Sequence, residues 1–485
     1  MKLGTYKAMT GSRRRDSTFL SYHSIVFLSP LLTNTSPWWS RAHAKPIALI
    51  EGHRKNLNPS RNLSWRFQVG GYMDTQSKGR SVFLMLCFVG FFALLSSTMS
   101  KSPVLKPFAN SLGTPTDWLG VVAAASTIPG ILISLPAASL SDIYGRKRFL
   151  LIAGFVFASA PFLYLLVTVW WQLIIVRFYH GFATAIFVPV AEAAIAEAFP
   201  AKRGERISLF SSVTYVGRII APTLGGYILF ATTRSTSPPP SDFHLLYLAV
   251  GVAGITAIIM VLPFLAKKKV PQVAQQDDAK RTLARVFKGW GKVATNRGVL
   301  LVGFVQASQY FVFAAVEFFL VGYLTEIVKL NNFITGLMIT SIIAIGIFAR
   351  PYMGRISDRV GRRIPIVTGC MISGLPLLGL PFIRDSWVLL LLVLIYGLGF
   401  ATVLSSTHAL TSDLVPTELV GTSMGFIDTV MDIGQTLGPI ISGIILGVSL
   451  AYGFQYILVF LALGLVLLAT GVVFALSRLV MPSKH

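Results

Sequence analysis

Charge is scarce in this chain: 13% of its 485 residues are Asp, Glu, Lys or Arg, and only 19 are acidic. Set against 54% hydrophobic residues, so little charge excludes an ordinary water-soluble domain, which could not cover that much apolar surface. Cysteine is scarcer still. Cys87 and Cys370 are the two present; both fall in apolar runs, which excludes a disulfide scaffold or zinc site and leaves small packing residues. A GxxxxGK[ST] phosphate loop is lacking, so the energy for any work done is not drawn from ATP. With no nucleophile placed beside a base and no metal-ligand cluster, the sequence reads as neither an enzyme nor a cofactor protein.

Long apolar runs are what the chain does have. A hydrocarbon core of about 30 Å is crossed by about 20 apolar residues, and twelve such runs occur, near 81–102, 117–139, 149–168, 170–197, 207–231, 244–266, 299–325, 333–353, 364–383, 387–409, 420–447 and 455–478. They predict an all-α integral membrane protein whose main partner is the lipid bilayer. The net charge of +23 would suggest nucleic acid in a soluble protein, but its placement excludes that. Arg146, Lys147, Arg148, Lys202, Arg203, Arg206, Lys267 to Lys269, Arg355, Arg359, Arg362 and Arg363 all lie in even-numbered loops. The positive-inside rule then puts those loops and both termini in the cytoplasm, with the chain in the plasma (inner) membrane.

Residues 1–80 carry 13 basic and 3 acidic residues without hydrophobic period, and read as a disordered basic extension. A cytoplasmic tail, a transit peptide and an upstream segment outside the working protein, which would start near Met73, are the alternatives; the last is preferred. Two six-span halves, 81–266 and 299–478, flank a cytoplasmic linker at 267–298, and 479–485 is a short tail. In the linker Leu283, Val286, Phe287 and Trp290 recur at helical spacing opposite basic residues, which predicts an interfacial amphipathic helix.

The halves are duplicates. Asp142 and Asp358, Gly145 and Gly361, Gly181 and Gly397, and Pro200 and Pro416 are each separated by 216 residues, and the offset becomes 217 from Gly204 onwards. The charged stretch GRISDRVGRR, Gly354 to Arg363, and its earlier copy ASLSDIYGRKR, Ala138 to Arg148, join the second span of each half to the third. In both, a glycine makes the turn and an acid stands four residues before an arginine: Asp142 with Arg146, Asp358 with Arg362. A further acid lies 55 residues on, Glu197 and Asp413. Charges at the membrane edge that pair in one arrangement of two bundles and part in another would form a gating latch.

GRISDRVGRR resembles the hallmark loop Gly-x-Leu-Ala-Asp-Arg-x-Gly-Arg-Arg of the major facilitator superfamily, with Ile356 for Leu and Ser357 for Ala; the first copy departs at Ala138 and Ile143. The resemblance, over about residues 81–478, implies two six-helix bundles around a central cavity that opens alternately to either side. It also implies that Arg177, in RFYHG of the fourth span, takes the place of an intramembrane arginine associated with proton coupling. GRIIAPTLGG, Gly217 to Gly226, resembles the fifth-span motif of drug and proton antiporters, with Ala221 replacing its middle glycine. It recurs as GQTLGPIISG, Gly434 to Gly443, so Gly217, Pro222, Gly226, Gly434, Pro439 and Gly443 are equally candidates for close helix packing.

Ionisable groups at membrane depth cost about 2.5–3.5 kcal/mol on insertion scales, so each is a functional candidate. Glu317 in the seventh span and Arg177 fall at similar depth and could pair. Asp428 and Asp432, one turn apart in the eleventh span, share a face and could carry a proton, although Asp428 could instead complete the latch. Arg218 in the fifth span would neutralise Asp432 or bind an anion. Gln306, Gln309, Tyr310 and Phe313 form one helical stripe suited to a cavity wall. His180 and His408 read as hydrogen-bonded packing residues. The expectation is a monomeric secondary transporter exchanging a small amphiphilic or drug-like molecule for protons. Uptake of an organic anion with protons is the alternative within transport, and a non-transporting substrate sensor the alternative outside it.

Overall fold

The computed structural model describes residues 62–233, 238–266, 289–416 and 419–477, and among these every regular element is helical. The expectations for residues 1–61, for most of the linker and for the last eight residues lie outside the described part. The first helix, α1 (Asn62–Met99), starts well before residue 81, because no proline interrupts the chain between Pro59 and Pro103; its strongly apolar part is Arg80–Met99. A short α2 (Leu105–Ser111) follows. The second span is broken into α3 (Thr116–Ala124) and α4 (Ile128–Tyr144), since Pro129 cannot donate to the preceding turn. Then come α5 (Arg146–Tyr164), α6 (Trp170–Ala198), α7 (Arg203–Thr232) and α8 (His244–Ala266).

The second half repeats the pattern. It consists of α9 (Arg297–Gly322), α10 (Asn332–Phe348), α11 (Arg350–Val360), α12 (Arg363–Gly379), α13 (Ser386–Asp413), α14 (Val420–Ala451) and α15 (Ile457–Leu476). Helices α10 and α11 form one span bent by 43°, which makes twelve spanning segments. Packing is duplicated as well: α5 lies against α6 and α8, and its counterpart α12 against α13 and α15. Large apolar side chains face outwards, among them Leu166, Trp387 and Leu476, which suits lipid as the surrounding solvent. Ahead of α9 the chain is helical again at 289–294, with Trp290 edge-on to Phe426 at 5.9 Å.

Two seams join the halves, α3–α4 against α14 and α7 against α10. They are counterparts under the duplication. Gly120 lies on the backbone of Pro439 and Ile440 and beside Gly443, while Gly336 lies on Pro222 and beside Gly226; a Cβ at any of these glycines would strike backbone. Within the halves, Gly217 abuts the Phe91 carbonyl on α1, and Gly434 abuts Ala307, the counterpart of Phe91, on α9. All six motif positions of the two copies thus lie along contacting helices. Hydroxyls add Thr127–Thr436 at 2.7 Å to one seam and Thr223–Thr340 at 2.8 Å to the other.

Candidate functional site

The turns at one end of the molecule, here the latch face, follow the local sequence closely. Gly145 and Gly361 have φ of 95° and 88°, a region that side chains with a Cβ avoid, and so they send the chain straight into the next helix. The arginine just beyond each turn is gripped alike. Arg146 donates to Glu197 at 2.8 Å and to Ser141 at 3.2 Å and pairs with Asp142 at 2.5 Å. Arg362 donates to Asp413 at 3.1 Å, to Ser357 at 3.4 Å and to Asp358. Burial alone would lower the affinity of Arg362 for its proton, but the hydrogen bonds to Asp358 and Asp413 outweigh it and hold its pKa above the usual value. All four latch acids are exposed, from 41% to 66%, and each grip lies within one half. Arg363 donates to the carbonyls of Ala475 and Ser477, tying the end of α15 to the same face.

At the opposite, far face the charges cross between halves. Lys101 Nζ lies 2.6 Å from Glu317 Oε2, and Lys106 Nζ lies 2.7 Å from Glu326 Oε1, which also accepts from Asn110 at 2.8 Å. Tyr456 donates to the other oxygen of Glu326 at 2.6 Å. Lys101 and Glu317 are 216 residues apart, as are Asn110 and Glu326. Residues related by the duplication that touch one another must lie beside its twofold axis, so α1, α2 and α9 meet there. One partner of each far-face pair is deeply buried, Lys106 and Glu317 being only 3% exposed, although Glu326 is 39% exposed; no latch residue is buried to that extent. Lys106, outside the spans, is held below the usual ammonium range by burial, against the pull of Glu326.

Arg177 does not pair with Glu317, which Lys101 has taken. The broken second span explains its position: Thr127 turns its N–H to the carbonyl of Ala124, freeing the Ala123 carbonyl, and Arg177 donates to that oxygen at 3.3 Å and to Ser126 Oγ at 2.6 Å. A fully buried arginine thus closes a helix break, although it remains near enough to act on the Glu317 charge. The polar stripe on α9 divides. Gln306 accepts from Thr407 at 2.6 Å and lies 3.3 Å from His408. Gln309 points to Cys370. Both glutamines are fully buried in the packing of their own half, not on a cavity wall, because α12 and α13 cover that side of α9. Further along the same side of α9, Tyr310 packs edge-on against Phe400 of α13 at 5.4 Å and Phe313 stacks on it at 4.7 Å.

These aromatics line a cleft of about 400 Å³, solvent-open space included, with Tyr215, Arg218, Ile342, Ile343 and Arg350. Its lining residues follow the far-face contacts along α7 and α10, so it lies on the latch side of that seam. Beyond it Phe313, Ile342 and Ile343 pack, with no room for a water, against Glu317, whose Oε1 is buried without a partner. In the other seam Asp432 sits against Gly130. Asp428, which is exposed, acts electrostatically on Asp432 and on Glu192 of α6, and is itself acted on by His408. Arg218 does not neutralise Asp432; it lies in the cleft of the opposite seam, within range of Glu317.

Lys101, Glu192, Glu326 and Arg350 escaped the sequence reading. Lys101, Glu192 and Arg350 lay inside expected spans, so the rule that singled out Arg177 would have found them. The 216-residue offset, applied to Lys101, would also have found its partner.

Twelve spanning helices in duplicated halves, knit at one face around a cleft that carries charges, define a membrane transporter. The family model described as Major Facilitator Superfamily matches residues 86–439 and again 310–485, and the chain belongs to that superfamily. It is similar to an uncharacterized MFS-type transporter of Methanocaldococcus jannaschii, 25% identical over 78% of this chain and 93% of that one. It is also similar to the multidrug resistance protein MdtG of Citrobacter koseri, 24% identical over 77% and 89%. Among solved structures, a bacterial homolog of the human lysosomal transporter Spinster, in an inward-facing and occupied conformation, superposes with a TM-score of 0.67 at 14% identity, over 81% of this chain and 96% of that one.

Proposed function

We propose that this transporter exports small amphiphilic molecules in exchange for protons, with the latch face and both termini in the cytoplasm of a cell whose plasma membrane it spans. The observation that carries the reading is the row Glu192, Asp428 and Asp432, carboxylates gathered where the α4–α14 seam must part for the cavity to change sides. Three carboxylates gathered there offer a place where a proton can be taken up on one side and released on the other. Far-face pairs between halves and latch grips within halves describe one state, closed at the far face. In the other state the far pairs part and the latch arginines exchange partners across the halves. The name of the Citrobacter relative, a multidrug resistance protein, supports export.

Everted vesicles carrying the protein, with an acid interior followed by a pH-sensitive dye, test it. A panel of amphiphiles should contain compounds that collapse the gradient with the wild type and not with Asp432→Asn. Substrate flux with no proton movement would overturn the exchange, and net accumulation inside intact cells would assign uptake instead.

A further inference from the structure

The duplicated seams have diverged in charge, and the divergence names the head group of the substrate. Asp432 against Gly130 has as its counterpart Tyr215 beside Gly346; Arg218 has Gln435, and Arg350 has Ser134. One seam has therefore collected carboxylates and the other guanidiniums.

On the basic side the charges do not balance. Lys101, Arg177 and Arg218 all act on the single carboxylate of Glu317, and Arg350 joins Arg218 in acting on Tyr310. Lys101 and Arg177 have their partners. Arg218 and Arg350 have no hydrogen-bond or ion-pair partner among the described residues, and Arg350 Nε is buried with none. Asp428 is the carboxylate within electrostatic reach of Tyr310, and it belongs to the acidic row. Two guanidiniums facing a cleft walled by Tyr215, Tyr310, Phe313 and Phe400 offer forked donors beside flat apolar surface. Arg350 stands at the 43° bend of its span and lines the cleft.

We infer that the substrate is an amphiphilic organic anion, a carboxylate, sulfonate or phosphonate on an aromatic or aliphatic body, with its head group between Arg218 and Arg350. This rests on the exporter reading and sharpens it. The body packs on Phe313 and Phe400. Substrate and proton then occupy different seams, so each biases the opening of the halves from its own side.

Binding to the purified protein in lipid nanodiscs separates this from transport. Calorimetry would compare 1-naphthylacetate, 2-(1-naphthyl)ethanol and 1-naphthylmethylammonium, probes with one ring and three head groups. The anion should bind at least about tenfold tighter than the ammonium. Arg218→Gln and Arg350→Gln should each weaken the anion about tenfold while leaving the neutral probe unchanged, which shows that the cleft is still folded; Arg350→Lys should recover part of the loss. Equal binding of anion and ammonium, or anion binding indifferent to both arginines, would overturn the inference. An anion that binds as expected yet moves no protons in vesicles would refute the exchange reading and leave this one standing.

Discussion

The two seams are mechanically alike and chemically opposed. Both close through backbone contact at a glycine, Gly120 in one and Gly336 in the other, over the proline of a duplicated motif, Pro439 or Pro222. Nearer the latch face they differ, with Asp432 and Asp428 on one side and Arg218 and Arg350 on the other. Duplication supplied one contact surface twice, and substitutions at the cleft-facing positions left the copies opposite in charge. Contacts that must slide and re-form tolerate no Cβ, so their residues stayed the same, whereas cleft-facing positions could change without harm to closure.

The largest effects should come from breaking what the seams share. Gly120→Val and Gly336→Val each force a branched side chain into backbone, and overpacking of this kind costs about 1–3 kcal/mol or more. Because the cost falls on the far-face-closed state alone, transport in vesicles should drop to a few per cent in both, with raised accessibility of far-face cysteine probes. Loss in one seam only would end the claim that the two are mechanically equivalent.

Next in size is what they do not share. Asp432→Asn should abolish substrate-driven proton movement, while Tyr215→Phe, at the counterpart position, should lower it less than about threefold. Equal losses in proton flux would mean that the acid serves closure and not protonation.

The faces can be compared in the same way. Lys101 with Glu317 is buried, and removing one partner strands a charge at a cost of about 3–5 kcal/mol; Glu197 is exposed and its pair with Arg146 is worth about 0–1 kcal/mol. Lys101→Met should therefore lower thermal stability in detergent by several degrees, and Glu197→Gln should barely move it. Since Lys101 and Glu317 meet beside the twofold axis, the reversed pair Lys101→Glu with Glu317→Lys should recover much of the loss.

Much of this was legible in the residues. Apolar run length gave the spans, and a fixed offset gave the duplication and the latch, because Gly145, Arg146, Gly361 and Arg362 act within a few residues of one another or through the next loop. Which part of a helical stripe borders a cleft was not legible. Gln306 and Tyr310 lie one turn apart on α9 and both meet α13, yet Gln306 is closed off by Thr407 and His408 while Tyr310 borders the cleft, which only the crossing of the helices decides. Arg177 was read by analogy as a coupling residue because nothing local showed that Pro129 would free a carbonyl for it. The far-face pairs were missed for a related reason: Lys101 lies at the end of an apolar run and Lys106 just beyond it, and nothing local shows that the axis between the halves buries them.

The smallest of these effects is also the one that joins the seams. An anion leaving the cell while a proton enters moves two positive charges inward in effect, and each is worth about 2.3 kcal/mol per 100 mV across the membrane. An interior-negative potential should therefore speed export of the naphthyl carboxylate in proteoliposomes clamped with potassium and valinomycin, even without a pH gradient. A neutral substrate exchanged for one proton would move half that charge, and a cationic one none. The rate should rise a few-fold as the potential goes from zero to about −100 mV, and more steeply for the anion than for its alcohol analogue. A flat response to the carboxylate would mean that it leaves together with a proton, with no net charge moved, and would end the exchange reading.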